Sequence, residues 1–282
     1  MSIRNNEDRF GAPQDSSPAT SVAQNQTQMS FTVPTEIVPL PSRGKYYPPD
    51  HPLHNKETVE IRYMTARDED VLTNKSFLKN GVVINKLIES VLVDKTIEVS
   101  SLLVGDKSAL LVAARVTGYG SEYSTKVVCP SCTDISKFSF DLQSSISITE
   151  ASTSGIEYEE TSNGTFLITL PKSQAVVELK PLTGVDEEQI AKTNKMRQKN
   201  GLPEMTLTDQ MKLYIHSLNG NYDRSYINTN VDSLPAMDAR FIRLNYPKLV
   251  PNVDLTHHYE CQSCGYEQEM EVPFTSDFFW PE

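Results

Sequence analysis

The stretch KVVCPSC, residues 126–132, and the stretch YECQSCGYEQEMEV, residues 259–272, decide the fold of this chain. Each contains two cysteines in the spacing C-x-x-C, and the 282 residues include no other cysteine. Cysteines used only in such pairs favour metal ligation in a reducing compartment over a disulfide framework. The sequence therefore predicts that one site contains all four: Cys129, Cys132, Cys261 and Cys264.

The residues around each cysteine pair alternate in polarity, as they do in β-strands. Ile135, Phe138 and Phe140 follow the first pair, and Tyr266, Met270 and other alternating residues follow the second. Strand, tight turn and strand, repeated twice, is typical of a zinc ribbon, in which two cysteine knuckles at hairpin tips share one tetrahedral thiolate site. Four protein ligands leave no position open for water, so we expect a structural Zn²⁺ ion and no catalytic metal.

Two other interpretations of the cysteines stay open from sequence. Two independent redox dithiols would each need a helix N-terminus to lower a thiol pKa, and both pairs lie between predicted strands. Cysteines without any function are a second alternative. His257 and His258 adjoin the second pair. Since four thiolates already complete a zinc site, we interpret both histidines as strand residues.

Composition limits the class of protein. The chain is 22% charged and 38% hydrophobic, and its longest purely apolar run, ALLVAA at residues 109–114, is far too short to cross a membrane. The first 30 residues have no apolar segment of the kind found in secretory signals, so we expect none. A net charge of −11 disfavours a large phosphate-binding surface.

The pattern of elements predicts an α+β fold with small helical bundles, β-hairpins and a split ribbon. Thr65 is placed to begin one helix and Asp106 to begin another. Residues 207–220 are interpreted as helical throughout. We expect a disordered arm at 1–30, which could also fold on a partner. A β-hairpin and helical region follows at 31–118, and a first ribbon hairpin at 119–142. An inserted domain is expected at 143–253, and a second ribbon hairpin with an aromatic tail at 254–282.

No catalytic motif is present. The sequence contains no G-x-x-x-x-G-K-[ST], no G-x-G-x-x-G and no H-E-x-x-H pattern, and none of the five histidines has an obvious nucleophile beside it in sequence. The carboxylate clusters DEEQ and EYEE are explained by helix N-termini and solvated faces. We therefore predict that the chain is not an enzyme and has no small-molecule substrate.

Two aromatic segments are candidates for protein binding. A proline-rich loop at residues 40–49 carries Tyr46 and Tyr47, either displayed as a preformed contact surface or packed back on their own hairpin. The C-terminal segment carries Phe278, Phe279 and Trp280, which must fold back on their own domain or dock on a neighbouring subunit. Flanking prolines, Pro273 and Pro281, favour docking slightly.

Several short motifs, in this order, resemble a known family. VPLPSRGKYYP, the pairs VVCPSC and YECQSCGY, and the closing VPFTSDFFWP resemble the baseplate hub subunits of T-even type tailed phages. The middle LKPLTGVDEEQI, followed by YIHSLNG, is similar to a pattern of tail assembly chaperones. The resemblance spans residues 31–282.

This resemblance implies a structural or assembly protein of a contractile-tail baseplate hub. Such a protein would bind other phage baseplate and tail proteins, and would be found in the virion tail and in the cytoplasm of the infected host. An assembly factor that leaves before the virion is finished is a close variant. The alternatives from other classes are a zinc-ribbon nucleic-acid-binding accessory protein, which needs a basic face, and a metal-dependent enzyme, which needs an open coordination site.

Overall fold

A computed structural model describes residues 32–145, 148–149, 155–272 and 276–279. It is a mixed helix and sheet fold, as the sequence predicts, and its sheets are small and antiparallel. The predicted arm at 1–30 lies outside the described residues. Among the described residues, no helix combines the length and the apolar character that a membrane span requires.

The described chain begins with the expected hairpin, β1 (Thr35–Pro39) paired with β2 (Thr58–Arg62). The proline-rich loop between these strands is fixed by a buried carboxylate. Both the backbone N–H and the hydroxyl of Ser42 donate hydrogen bonds to Asp106, at 2.9 and 2.5 Å. Because the loop is anchored from within the core, its conformation is set by residues distant in sequence.

Four helices follow this hairpin, α1 (Ala66–Thr73), α2 (Lys75–Asn80), α3 (Val83–Val91) and α4 (Val104–Tyr119), and α4 packs against β1. The predicted cap at Thr65 is confirmed, and Asp68 completes the capping box. The predicted start of α4 is wrong. The helix begins at Val104, before Asp106, because the Asp106 side chain bonds to the distant Ser42.

A second body of structure follows the first ribbon hairpin. Strands β6 (Tyr158–Glu160), β7 (Phe166–Thr169), β8 (Val176–Leu179) and β9 (Ile215–Leu218) form a four-stranded sheet in that order. Helices α6 (Gly184–Lys199), α7 (Leu207–Tyr214), α8 (Arg224–Asp232) and α9 (Ala236–Leu249) belong to the same part of the chain. The helix expected over residues 207–220 is therefore wrong beyond Tyr214, because Ile215 to Leu218 pair with β8.

The ends of this segment meet. After the short helix α5 (Leu142–Ser145), β5 (Ile148–Thr149) pairs with β10 (Asn252–Val253). One buried apolar cluster contains residues from the N-terminal hairpin, from α3 and α4, and from the two cysteine-bearing hairpins. Another contains residues from β7, β8, β9 and α7 to α9. The insertion boundary at 143–253 remains a prediction, although both observations are what an inserted domain requires.

Candidate metal centre

Four strands support the cysteines. Strand β3 (Glu122–Val128) pairs with β4 (Ile135–Asp141), and β11 (Thr256–Glu260) pairs with β12 (Glu267–Glu271). We call these two hairpins together the ribbon. Burial alternates along β3, with Tyr123, Thr125 and Val127 buried and the intervening residues more exposed. This alternation gives each hairpin one buried and one solvent-facing side.

The buried sides of the two hairpins pack on each other through aromatic side chains. The rings of Phe138 and Tyr259 contact edge to face at 5.3 Å between centroids, and those of Phe140 and His257 do so at 5.4 Å. Edge-to-face contacts of this kind add to the stabilisation that burial provides. They bring the tip of one hairpin to the tip of the other.

The two knuckles have the same backbone hydrogen bonds. In the first, the N–H of Cys129 donates to the Asp134 carbonyl and the N–H of Thr133 donates to the Cys129 carbonyl. In the second, Cys261 bonds to the Tyr266 carbonyl and Gly265 to the Cys261 carbonyl. A cross-knuckle hydrogen bond, from the Ser263 hydroxyl to Asp134, joins the tips directly.

The structure brings the four cysteines together, as the sequence predicts. Their Sγ atoms all lie within 4.8 Å of one another. The Sγ atoms of Cys129 and Cys264 are 3.8 Å apart and those of Cys132 and Cys261 are 3.7 Å apart, so both pairs are too distant for a disulfide bond. A tetrahedral ion with metal–sulfur bonds of about 2.3 Å has sulfur–sulfur edges of about 3.8 Å. The donor set therefore fits one tetrahedral metal ion.

The electrostatics of the cluster agree with this geometry. Backbone N–H groups of Cys264 and Ser263 donate to the Cys261 sulfur and, against the effect of desolvation, lower the pKa of that thiol to about 6. The Asp134 backbone lowers the pKa of the Cys132 thiol, but the neighbouring Cys264 side chain, desolvation and the other thiols raise it to about 12. Sulfurs this close cannot all ionise unless a cation offsets their charge.

Burial divides the cluster into two halves. The first cysteine of each knuckle, Cys129 or Cys261, is buried, and the second, Cys132 or Cys264, is exposed. The histidines lie in β11 as expected. The His257 ring packs on Phe140, while His258 lies on the outer side with its Nδ1 3.5 Å from Glu269.

The structure corrects the expectation for Tyr47. Its side chain is only 4% exposed, its hydroxyl donates to Asp106 at 2.8 Å, and it accepts a hydrogen bond from the N–H of Leu103 at 3.0 Å. Burial, with the nearby charge of Asp106, raises the pKa of Tyr47 far above its usual range. The ring belongs to the core and is not exposed to a partner. The hydrogen bonds of its hydroxyl with Asp106 and with Leu103, at the start of α4, hold this part of the loop in the interior.

Tyr46 is half-buried and also makes contacts within its own chain. Its ring packs on Phe166 of β7 at 5.4 Å between centroids. A Cβ built on Gly164 would lie 3.0 Å from the Tyr46 Cα, and Gly164 has a φ of +72°, so glycine is required for this approach. Tyr46 thus connects the proline-rich loop to the four-stranded sheet.

The C-terminal aromatic residues follow the alternative that the sequence disfavoured. Phe278 and Phe279, in a 3-10 turn at Ser276–Phe279, are 1% and 3% exposed, so they fold back on the chain. The Phe278 ring contacts Tyr123 of the ribbon at 5.1 Å between centroids. Expected docking through these two rings is therefore wrong, because the ribbon already buries them. Trp280 lies outside the described residues.

Two features of the centre were missed from sequence. Thr133 has a φ of +59°, the same left-handed conformation that Gly265 has at the equivalent position. Tyr259 is fully buried near Cys261, and its hydroxyl oxygen makes no hydrogen bond of normal geometry among the described residues. Only the repeated spacing of the knuckles could have indicated Thr133. Nothing in the sequence distinguished Tyr259 from any other strand tyrosine.

Together, the fold and the cysteine cluster define a mixed helix and sheet protein with a candidate tetrahedral metal centre in a ribbon. Comparison with known protein families then shows the family to which this chain belongs. Residues 34–280 match the family described as T4 bacteriophage base plate protein, and the chain belongs to that family. The match covers the proline-rich loop, both knuckles and the segment between them. No curated protein and no solved structure gives a significant match.

Proposed function

We propose that this chain is a structural or assembly component of a contractile-tail baseplate hub, and that it acts by binding other baseplate and tail proteins. The observation that carries the proposal is the family match, which extends over residues 34–280 and so includes nearly all the described structure. Members of a baseplate family are structural, which supports a role without catalysis. The site of action is then the tail of the virion, after synthesis in the host cytoplasm.

We also propose that the ribbon contains one structural zinc ion. Cys129, Cys132, Cys261 and Cys264 would hold it as thiolates, with the backbone N–H groups of the second knuckle offsetting negative charge on Cys261. A tetrahedral thiolate site provides folding free energy and, with all four positions taken by protein, no open position for chemistry. The ion would fasten two strand pairs that are distant in sequence.

Mass spectrometry of purified particles tests the hub role. The phage that encodes this chain is grown with and without a functional copy, and tails are quantified by electron microscopy. A hub component is expected in the particles, and its loss leaves tails without complete baseplates. A chain that is required for tails but absent from particles is the assembly factor of the same proposal. Normal tails without the chain contradict both forms.

Metal analysis tests the zinc proposal independently. Plasma mass spectrometry of protein purified without chelator should find about one zinc per chain, because four thiolates close a single site. Cys261→Ser should lose the metal, whereas Ser263→Ala in the same knuckle should keep it. Two metals per chain, or none, would contradict a shared site without affecting the test of the hub role.

A further inference from the structure

Near its knuckle, the outer side of the first ribbon hairpin carries a lysine pair and an exposed apolar pair, and at its other end it carries the acidic pair Glu122 and Asp141. Lys126 lies directly opposite Lys137 in the register, and Val128 lies directly opposite Ile135. Val128 and Ile135 are 57% and 63% exposed, and they lie side by side on neighbouring strands. Among the residues that the structure describes, neither lysine forms an ion pair. We call the lysine pair and the apolar pair together the lysine face.

The outer side of the second hairpin has the opposite charge. Glu260 lies directly opposite Glu267, and Glu269 and Glu271 continue the same side of β12. Within the described part of the chain, their basic neighbour on this side is His258, 3.5 Å from Glu269 and 4.0 Å from Glu267. We call these four glutamates the glutamate face. Because the buried sides of the hairpins pack on each other, the two faces point away from each other.

Both faces contain like charges directly across a strand pair. Such side chains are about 5 Å apart at Cβ, and like charges in this position are destabilising. The chain could place neutral or opposite charges there without disturbing the core, since all these side chains are exposed. If a pair of the opposite charge from another molecule lay against each like-charged pair, every side chain of the pair would gain an attractive neighbour to offset the repulsion. The spacing of the lysine pair equals that of the glutamate pair, because both are direct cross-strand neighbours.

We propose that the ribbons of successive copies of this chain stack, with the glutamate face of one copy on the lysine face of the next. Glu260 and Glu267 would then lie against Lys126 and Lys137 of the adjoining copy, and the stems of these side chains would cover Val128 and Ile135. The contact joins two different surfaces, so it is heterologous and builds a ring or an open stack. It goes beyond binding to other baseplate proteins and depends only on the folded ribbon.

The proposed contact is weak for a single pair of copies. One hairpin face is smaller than the area of about 800 Å² per partner found in stable complexes. The net charge of −11 also repels whole copies. At physiological salt, however, charges more than about 8 Å apart are largely screened, so the local match between faces dominates. Association is therefore expected at high protein concentration, and to be sensitive to salt.

Charge reversal with sedimentation velocity tests this inference on the full, metal-loaded chain. The wild type should form species larger than the monomer as concentration rises at about 0.1 M salt, and should lose them at about 1 M, where the Debye length falls from about 10 Å to about 3 Å. The variant K126E/K137E places an acidic pair at both contact positions, and E260K/E267K places a lysine pair at both, with Glu269 and Glu271 unchanged. Each variant alone should stay monomeric.

An equimolar mixture of the two variants should associate again, because the acidic pair of one variant then meets the lysine pair of the other. The variant carrying all four reversals should also associate. K75E/K172E changes the net charge as K126E/K137E does but lies outside the ribbon, and should behave as the wild type. A monomeric wild type at all concentrations, association unaffected by either reversal, or a mixture that stays monomeric would each overturn the stacking. A misfolded variant is recognised by circular dichroism, and the neutral variants K126Q/K137Q and E260Q/E267Q, each of which should weaken association, then decide.

Discussion

The two knuckles differ at one backbone position where glycine is expected. Gly265 and Thr133 both have a left-handed φ, of +67° and +59°, and both donate their N–H to the carbonyl of the first cysteine in their knuckle. The left-handed conformation costs L-residues roughly 1–2 kcal/mol, most for β-branched side chains. The first knuckle therefore carries strain that the second avoids.

Substitutions at these two positions should differ in how strongly they change the stability of the fold. Gly265→Ala should destabilise the folded protein by about 1 kcal/mol. Apart from its chain neighbours, no atom of the described residues lies within 4 Å of the added Cβ, so the cost comes from φ alone. Thr133→Gly relieves the strain but increases the entropy of the unfolded chain, and should change stability much less. Urea unfolding of both variants checks this. Equal destabilisation by the two substitutions would contradict the strain argument.

Tyr259 is the residue at which burial and hydrogen bonding conflict. Its hydroxyl is buried without a hydrogen bond of normal geometry, and the groups around it include Ser136 and the sulfurs of Cys261 and Cys129. A buried, unpaired hydroxyl costs about 1–3 kcal/mol. A thiolate is a better acceptor than a thiol, so metal binding would give this hydroxyl a partner.

Tyr259→Phe should therefore weaken metal binding while leaving the metal-free fold as stable as before, or more stable. Loss of such an outer hydrogen bond typically reduces metal affinity about 10–100-fold. Chelator competition measures the affinity, and the charge-transfer bands of the Co²⁺-substituted protein report the change at the sulfurs. The matched control is Tyr123→Phe, in the other hairpin. Unchanged affinity and unchanged bands would show that the hydroxyl has no such role.

At the scale of secondary-structure elements, one carboxylate joins β2, α1 and α3. Asp68 accepts hydrogen bonds from Arg62 at 2.7 and 2.9 Å, from Ser90 at 2.6 Å, and from the backbone and hydroxyl of Thr65. Desolvation raises the pKa of Asp68, but the hydrogen bonds from Arg62, Ser90 and Thr65 outweigh it and hold the pKa well below its usual range. The side chain of Asp68 is fully buried, so water cannot take the place of a hydrogen-bond donor that is lost from this cluster.

This lowered pKa predicts how stability depends on pH. The folded state binds the proton of Asp68 more weakly than the unfolded state, so its contribution is complete above the unfolded pKa of about 3.9 and is lost as pH falls below it. Asp68→Asn should cost about 1–3 kcal/mol at pH 7 and less at pH 3. Urea unfolding at several pH values measures the difference in stability from wild type, so that effects of pH common to both proteins cancel. A constant difference across this range would contradict the assignment.

Sequence patterns predicted the elements whose determinants are local. The hairpin of β1 and β2, the cap at Thr65 and the strands around each knuckle depend on alternation and spacing within a few residues. Sequence patterns gave wrong predictions where a partner distant in sequence determines the local structure. Ile215 to Leu218 continue a helical periodicity but pair with β8, and Tyr47 is drawn into the core by Asp106, which is 59 residues away. The charges of the two ribbon faces were visible in the sequence, whereas their opposite orientation required the packed hairpins.

At the scale of the whole molecule, the C-terminal segment closes the core that the ribbon and the N-terminal region share. The described turn at Ser276–Phe279 lies against α4 and β3. Arg115 of α4 is fully buried, and its Nε donates to the Phe278 carbonyl at 2.6 Å. Its other nitrogens donate to the carbonyls of Gly120 and Glu122, at 2.8 and 3.1 Å. The guanidinium is therefore satisfied by backbone oxygens from two segments.

Removing residues 276–282 should destabilise the protein strongly. The deletion takes away two buried phenylalanines, each worth about 3–5 kcal/mol when truncated to alanine, and leaves a buried donor of Arg115 without its acceptor. We expect a large fall in Tm and, because Tyr123 of the ribbon is uncovered, a loss of solubility. Removing only residues 280–282 keeps Phe278 and Phe279, and is the comparison that isolates the contribution of these two rings. Thermal unfolding and metal content should be measured for both deletion variants and compared with the wild type. If the longer deletion remained soluble, metal-loaded and as stable as the shorter one, the two rings would not belong to the core, and docking on a neighbouring subunit would again be the better explanation of this segment.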